Sequence, residues 1–109
     1  MKLEYLHRWL KDNNRHFPKV KIWGAGRITR NRTKSLLKAG TVVSGFYDID
    51  PRKVGNPRTG LMVQSIEDIP EPGEEFIVAM VGARGAREKV VAFLRDRGHR
   101  EGIDFVLAA

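Results

Sequence analysis

The chain has 109 residues, no cysteine, and a formal net charge of +7 from 20 Lys and Arg against 13 Asp and Glu. We expect one domain, because domains typically run about 100–150 residues. The lack of cysteine excludes disulfides, thiolate catalysis and cysteine-based zinc sites. No apolar run approaches the roughly 20 residues that cross a bilayer, and the start has no signal-peptide core. We therefore expect no membrane span and a cytoplasmic protein.

The positive charge is concentrated in the first half of the chain. Residues 1–60 carry 14 Lys and Arg against 4 Asp and Glu, a balance of +10, whereas residues 61–109 carry 6 against 9, a balance of −3. Such a balance favours an anionic partner, either nucleic acid or a small phosphate ligand. A solvated basic surface with no specific partner is the alternative.

The chain begins with an amphipathic segment. Leu3, Leu6 and Leu10 recur at helical spacing and predict a helix over residues 2–15, before Pro18. We therefore divide the chain into an N-terminal amphipathic helix, residues 1–18, and a second unit, residues 19–109.

Strands and helices alternate through the second unit. The predicted strands are 20–23, 42–47, 61–63, 76–81 and 104–108; the predicted helices are 27–39 and 86–97; residues 51–60 are predicted as loop, and Ser65 as the cap of a single helical turn. This alternation predicts an α/β, three-layer, Rossmann-like domain. We expect a mostly parallel five-stranded sheet of order 3-2-1-4-5 with helices on both faces.

A glycine turn links the first strand to the first helix of this unit. In a dinucleotide-binding unit the first glycine, here Gly24, makes the turn, and the second, Gly26, lets the backbone approach a pyrophosphate. The backbone N–H groups of Ala25, Gly26 and Arg27 are expected to hold the phosphate. The third glycine of that pattern is Thr29 here. A turn without a ligand is the alternative.

Two further positions extend this candidate site. Asp48 follows the second strand, where an acidic residue would contact a ribose hydroxyl; alternatively it caps the turn that follows. Gly82 and Arg84 lie in a second glycine turn, which would face the first one. Arg84 would flank the phosphate, or else be solvated. Arg52 and Lys53 could meet a ribose 2′-phosphate only if Asp48 did not occupy the same place.

Little else in the sequence indicates chemistry. No histidine or carboxylate pattern has metal-ligand spacing, and no serine lies in a nucleophile elbow, so we expect neither a metal site nor catalysis by this chain alone. A basic stripe runs along the first helix of the second unit: Arg27, Arg30, Lys34 and Lys38. Nucleic acid is disfavoured as the partner, because no aromatic RNA-binding strand or helix-turn-helix accompanies the stripe.

The segments 21–26 and 45–55 resemble the Rossmann-like N-terminal domains of sugar acyltransferases and of nucleotide-sugar epimerases in bacterial polysaccharide synthesis. The segments 65–70, 81–87 and 101–105 are similar to a Rossmann-like domain at the C-terminus of some bacterial family 2 glycosyltransferases. The resemblance covers residues 19–108. It implies an accessory module that binds a nucleotide or nucleotide-sugar, with NAD(P) or a UDP-sugar as the ligand.

The resemblance carries over only Gly24, Gly26, Asp48 and Gly82. It also implies a partner, a glycosyltransferase catalytic domain. The alternative function is a protein-interaction or homodimerisation module, which has kept the fold without a ligand and pairs through its final strand and its N-terminal helix.

Overall fold

The computed structural model describes residues 3–13, 20–81 and 85–108. The helices are α1 (Leu3–Asn13), α2 (Arg27–Lys38) and α3 (Ala86–Asp96). The strands are β1 (Val20–Trp23), β2 (Val43–Asp48), β3 (Pro57–Arg58), β4 (Leu61–Ser65), β5 (Phe76–Ala79) and β6 (Phe105–Leu107). A 3-10 turn spans Ile66–Asp68.

The strands form one six-stranded sheet of order β3-β4-β2-β1-β5-β6. The five long strands are parallel and stand in the predicted order, so the α/β prediction is confirmed. The prediction of loop over residues 57–58 is wrong, because β3 pairs with β4 as an antiparallel edge strand. Both residues between β3 and β4, Thr59 and Gly60, have positive φ, the geometry of a tight two-residue hairpin.

Helices cover both faces of the sheet, which makes three layers. On one face, Leu6 and Leu10 of α1 and Leu36 of α2 pack into a cluster with Ile22 and Phe46. On the other face, α3 packs over a second cluster with members from β1, β2, β5 and β6. β5 is buried along its whole length, because its neighbours β1 and β6 and both helix layers enclose it.

The apolar side of α1 is used inside the domain. Leu6 and Leu10 are buried, and Trp9 stacks at a tilt on Phe76 with 5.4 Å between ring centroids. The predicted docking of this helix onto a partner would therefore have to use its polar side. The predicted division at residue 18 lies outside the described residues.

The sheet order brings three strand ends to one edge. β2, β1 and β5 are neighbours and parallel, so their carboxyl ends lie side by side. After β1 the chain passes to α2 on one face of the sheet, and after β5 it passes to α3 on the other face. Open α/β sheets bind ligands at the edge where the chain changes face in this way. Among the described helices, none is long and apolar enough to cross a membrane.

Candidate functional site at the carboxyl edge of the sheet

Gly24 makes the turn at the end of β1 in a conformation that favours glycine. Its φ is +116°, and a Cβ atom at this position would lie 3.0 Å from the backbone oxygen of Met80. Its N–H donates to the carbonyl oxygen of Tyr47 at 2.7 Å. Backbone from the ends of β1, β2 and β5 therefore converges here, too closely for a side chain.

Thr29 takes the place of the third glycine and ties α2 to the sheet. It is buried, and its hydroxyl donates to the backbone oxygen of Met80 at 3.2 Å. Thr29 Oγ1 would also lie only 3.4 Å from a Cβ atom placed at Gly24. A residue larger than glycine fits at this position because its hydroxyl donates to a carbonyl oxygen just after β5.

Asp48 links the glycine turn to the loop after β2. One carboxylate oxygen, Oδ2, accepts the N–H of Ala25 at 2.8 Å, and the other, Oδ1, accepts the N–H of Asp50 at 2.9 Å. The sequence predicted that the Ala25 N–H meets a phosphate, but in the structure this group donates to Asp48. Each carboxylate oxygen can accept a second hydrogen bond, so Asp48 keeps the capacity to bind a hydroxyl.

The two basic residues after Asp48 point to different places. Arg52 is exposed and pairs with Asp50, its Nε lying 3.2 Å from Oδ1. This pairing holds the pKa of the Asp50 carboxyl below its usual range. Lys53 reaches back, so that its Nζ lies 3.9 Å from Asp48 Oδ2 and 3.9 Å from the place of a Cβ atom at Gly26. The ammonium group of Lys53 therefore lies over the glycine turn.

The N-terminus of α2 is open toward this ammonium group. Gly26 is the N-cap residue, in an extended conformation, and no side chain caps the helix. The first turn of α2 holds no acidic residue. The first N–H groups of a helix and its dipole favour an anion, so the glycine turn, the helix end and Lys53 together form a positive corner.

A mostly apolar cavity of about 290 Å³ opens beside this corner. It lies between the ends of β1, β2 and β5 and the first turns of α3. Its walls are Trp23, Gly24, Asp48, Ile49, Ile66, Val81, Ala86, Lys89, Val90 and Phe93. Trp23 meets Phe93 edge to face, with 5.5 Å between ring centroids. The cavity suits a flat apolar ring, and Asp48 stands between it and the positive corner.

The structure brings Gly24, Ala25, Gly26 and Asp48 together. It describes the backbone of Arg27 but not its side chain, while Gly82 and Arg84 lie outside the described residues. The sequence did not identify the cavity walls Ile66, Lys89 and Phe93. They lie far from the glycine turn in sequence, Ile66 after β4 and the other two on α3, and only the packing of the fold brings them near.

A half-buried polar cluster lies on the α3 side of the sheet. Lys21 Nζ lies 3.0 Å from Glu75 Oε1, and the Tyr47 hydroxyl donates to Glu75 Oε2 at 2.6 Å. Lys21 also donates to Gln64. Burial, above all, and the neighbouring Glu75 raise the pKa of Tyr47 far above its usual range. The cluster joins β1, β2, β4 and the residue before β5, so we interpret its role as stabilising the sheet that carries the site.

Comparison with known proteins identifies a family for most of this chain. A family model described as "CoA binding domain" matches residues 18–100. That range includes the glycine turn, Asp48, Lys53 and every wall of the cavity. A search of curated proteins found no match.

Solved structures of similar fold include a repressor bound to a nucleotide. One, "RSP in complex with beta-NADH", is 17% identical with a TM-score of 0.57 and covers 97% of this chain and 60% of that one. A second, "RSP, a Rex-family repressor", is 16% identical with a TM-score of 0.59, covering 97% and 59%. A third holds "beta-NAD+ and operator DNA", at 17% identity and a TM-score of 0.56, covering 97% and 58%. The chain thus spans about three fifths of the length of these proteins.

These findings support the nucleotide-binding fold that the resemblance implied, but not the families to which the resemblance assigned the chain. They give no support for a link to glycosyltransferases, sugar acyltransferases or polysaccharide synthesis, nor for a UDP-sugar ligand. The likeness to the repressor structures shows the fold. The family match covers the strands and loops that build the site. On this evidence, the chain belongs to the CoA-binding domain family, a group with a Rossmann-like, nucleotide-binding fold.

Proposed function

We propose that this chain binds a nucleotide that contains an adenosine diphosphate group. Such a group is common to coenzyme A, for which the family is described, and to the NADH and NAD⁺ held by the similar repressor structures. The observation that carries the proposal is the apolar cavity beside the positive corner, with Asp48 between them.

Each part of the ligand has a counterpart in the site. The adenine ring enters the cavity against Trp23 and Phe93, where its burial supplies most of the affinity. A ribose hydroxyl donates to the free lone pairs of Asp48. The diphosphate lies at the open N-terminus of α2, with the N–H groups of Gly26 and Arg27 and the ammonium group of Lys53 around it.

Ligand binding also redistributes charge in the corner. In the structure Lys53 faces Asp48 at 3.9 Å, a long and partly exposed ion pair. A diphosphate at the end of α2 offers Lys53 more negative charge than the single carboxylate does. Asp48 then keeps its two backbone hydrogen bonds and gains the ribose, so the turn need not rearrange.

Two variants on one helix test the location of the ring. Ala86→Phe puts a bulky side chain at the wall of the cavity, while Ala92→Phe makes the same change on an exposed part of α3 that borders a different groove. Isothermal titration calorimetry with ADP is expected to show at least about a tenfold loss of affinity for Ala86→Phe, about 1.4 kcal/mol. Ala92→Phe is expected to bind as the unchanged protein does.

The identity of the base is tested on the unchanged protein. ADP, NADH and coenzyme A are each expected to raise the melting temperature, by an amount that grows with concentration as mass action requires. UDP at the same concentrations is expected to give a clearly smaller rise. The proposal fails if none of the adenine nucleotides binds, or if UDP binds as tightly as ADP.

A further inference from the structure

Unpaired basic residues are concentrated on one of the two helical layers. Six of them lie on α1 and α2, and no ion pair joins any of the six to an acidic residue of the described chain. They are Arg8, Lys11, Arg30, Arg32, Lys34 and Lys38. Because α1 and α2 touch and cover the same face of the sheet, these charges form one surface, the α1/α2 face.

The opposite layer of the domain shows a different pattern. Arg95 lies 3.8 Å from Glu101, and Arg97 lies 2.9 Å from Glu67. Exposed acidic residues, including Asp68 and Glu71, are also found on that side. Part of the positive charge of the α3 layer is therefore paired within the domain, although Arg87 and Lys89 have no ion pair among the described residues. Of the two helices of the α1/α2 face, α1 holds two acidic residues, Glu4 and Asp12, and α2 holds none.

One atom on the α1/α2 face lacks a partner even though it is buried. Arg30 Nε has almost no contact with solvent and no hydrogen-bond partner among the described residues. A guanidinium can only donate, and no described acceptor lies within reach of this atom. α2 has five basic residues and no acidic one in its sequence RITRNRTKSLLK, so the helix itself supplies no carboxylate.

The composition of this face limits what it can bind. The apolar sides of both helices are buried against the sheet, and among their described side chains only Tyr5 and Leu37 are exposed large apolar groups, too few for a stripe that inserts into a membrane. Protein interfaces have an apolar core from which charged residues are depleted. Apart from Leu37, the exposed positions of α2 are instead polar or basic: Asn31, Lys34, Ser35 and Lys38. Interfaces with nucleic acid are polar and strongly positive, and match this face.

We propose that the α1/α2 face binds the phosphate backbone of double-stranded nucleic acid. Lys34 and Lys38 are four residues apart, so α2 presents a positive charge about every 6 Å along a line. Arg8 and Lys11 of α1 extend the same surface beside it. Binding through phosphates does not depend on base sequence, and it needs neither a recognition helix nor stacking aromatic residues. The sequence disfavoured nucleic acid because it lacks an aromatic RNA-binding strand and a helix-turn-helix. Binding through phosphates alone requires neither motif.

The test compares two doubly substituted proteins of equal charge. Lys34→Gln with Lys38→Gln removes two charges from α2, and Arg87→Gln with Arg95→Gln removes two exposed charges from α3. Binding to a short DNA duplex of mixed sequence is followed by fluorescence anisotropy at several salt concentrations, without nucleotide. Circular dichroism and melting temperature show that each variant is folded.

The unchanged protein is expected to bind duplexes of unrelated sequence equally, with a steep loss of affinity as salt rises. The α2 variant is expected to lose about tenfold at low salt. Its slope of log affinity against log salt is expected to shrink by about 2, since each neutralised phosphate contributes about 0.9. The α3 variant is expected to keep both the affinity and the slope.

Three results would overturn the proposal. The first is no salt-sensitive binding of duplex DNA by the unchanged protein. The second is an equal loss in both variants, which would mean that net charge alone attracts the DNA. The third is tighter binding to anionic phospholipid vesicles than to DNA, with the same loss in the α2 variant, which would assign the face to a membrane surface.

Discussion

Asp48 holds the fold together in addition to the ligand contact proposed for it. Its two carboxylate oxygens accept backbone N–H groups from two different turns, those of Ala25 and Asp50. From its place after the second predicted strand, Asp48 was predicted to contact a ribose hydroxyl or to cap the following turn. The sequence could not show that the glycine turn itself is the partner, because that contact depends on how closely the ends of β1 and β2 approach.

Replacing Asp48 is expected to destabilise the protein even without a ligand. Asp48→Ala leaves two backbone N–H groups without their acceptor, at a cost of about 1–3 kcal/mol of unfolding free energy. Chemical denaturation of the apoprotein measures this, with Asp68→Ala, an exposed carboxylate on the 3-10 turn, as the control. Equal stability of the two variants would show that the Asp48 contacts do not hold the turns together.

Tyr47 is expected to make the protein sensitive to alkali. Its pKa is raised in the folded chain above the ordinary value of 10.0, so above pH 10 the unfolded chain ionises first. The free energy of unfolding then falls as pH rises, by up to about 1.4 kcal/mol per unit for this one group. Denaturation above pH 10 should show a shallower fall for Tyr47→Phe. The exposed Tyr5, changed to Phe, is the control, and the same slope in both variants would contradict the prediction.

At the scale of elements, hydropathy and glycine positions predicted most of the fold. The alternation of strand and helix patterns predicted the parallel strands and their order, with the apolar run 76–81 and the glycines after β1 and α3 marking the elements. The hairpin of β3 and β4 was missed, because Thr59 takes a positive φ where turn statistics favour Asn, Asp or Gly. The cap at Ser65 was predicted correctly, and its hydroxyl accepts the N–H of Glu67.

The open end of α2 gives a prediction in which stability and affinity move in opposite directions. Gly26 is an extended N-cap, and among the described residues a Cβ atom there would come near Lys53 Nζ alone. Gly26→Asp is therefore expected to cap the helix and add a few tenths of a kcal/mol of stability. The same carboxylate occupies the N–H groups and repels phosphate, so affinity for ADP should fall by at least about tenfold.

Gly26→Ala serves as the control for this change, because it adds a Cβ atom without charge or capping oxygen. Melting temperature reports the stability, and calorimetry with ADP reports the affinity. If Gly26→Asp binds ADP as well as Gly26→Ala does, the phosphate does not lie at the end of α2.

For the whole molecule, repulsion among the basic residues of the α1/α2 face lowers the stability of the fold. Arg30, Lys34 and Lys38 stand four residues apart on one helix, and like charges at this spacing destabilise a helix by roughly 0.2–0.5 kcal/mol per pair at low salt. The sequence shows the excess of charge in residues 1–60. It could not show that α1 and α2 share a face, since that follows from how they pack on the sheet.

Added salt is therefore expected to stabilise the folded chain. Screening weakens the repulsion among the unpaired charges of the α1/α2 face, so the melting temperature should rise with sodium chloride. Lys34→Gln with Lys38→Gln should melt higher than the unchanged protein at low salt and respond less to added salt. A melting temperature that falls with salt would mean that ion pairs of the α3 layer dominate the electrostatic balance.

The placement of the two tryptophans has a practical consequence. Trp23 forms part of the cavity wall, whereas Trp9 packs against Phe76 on the opposite face of the sheet. A ring that enters the cavity would change the emission of one indole and leave the other as an internal reference. With Trp9 replaced by Phe, the remaining fluorescence would report occupancy of the cavity directly, so the protein contains its own optical sensor for the ligand it is proposed to bind.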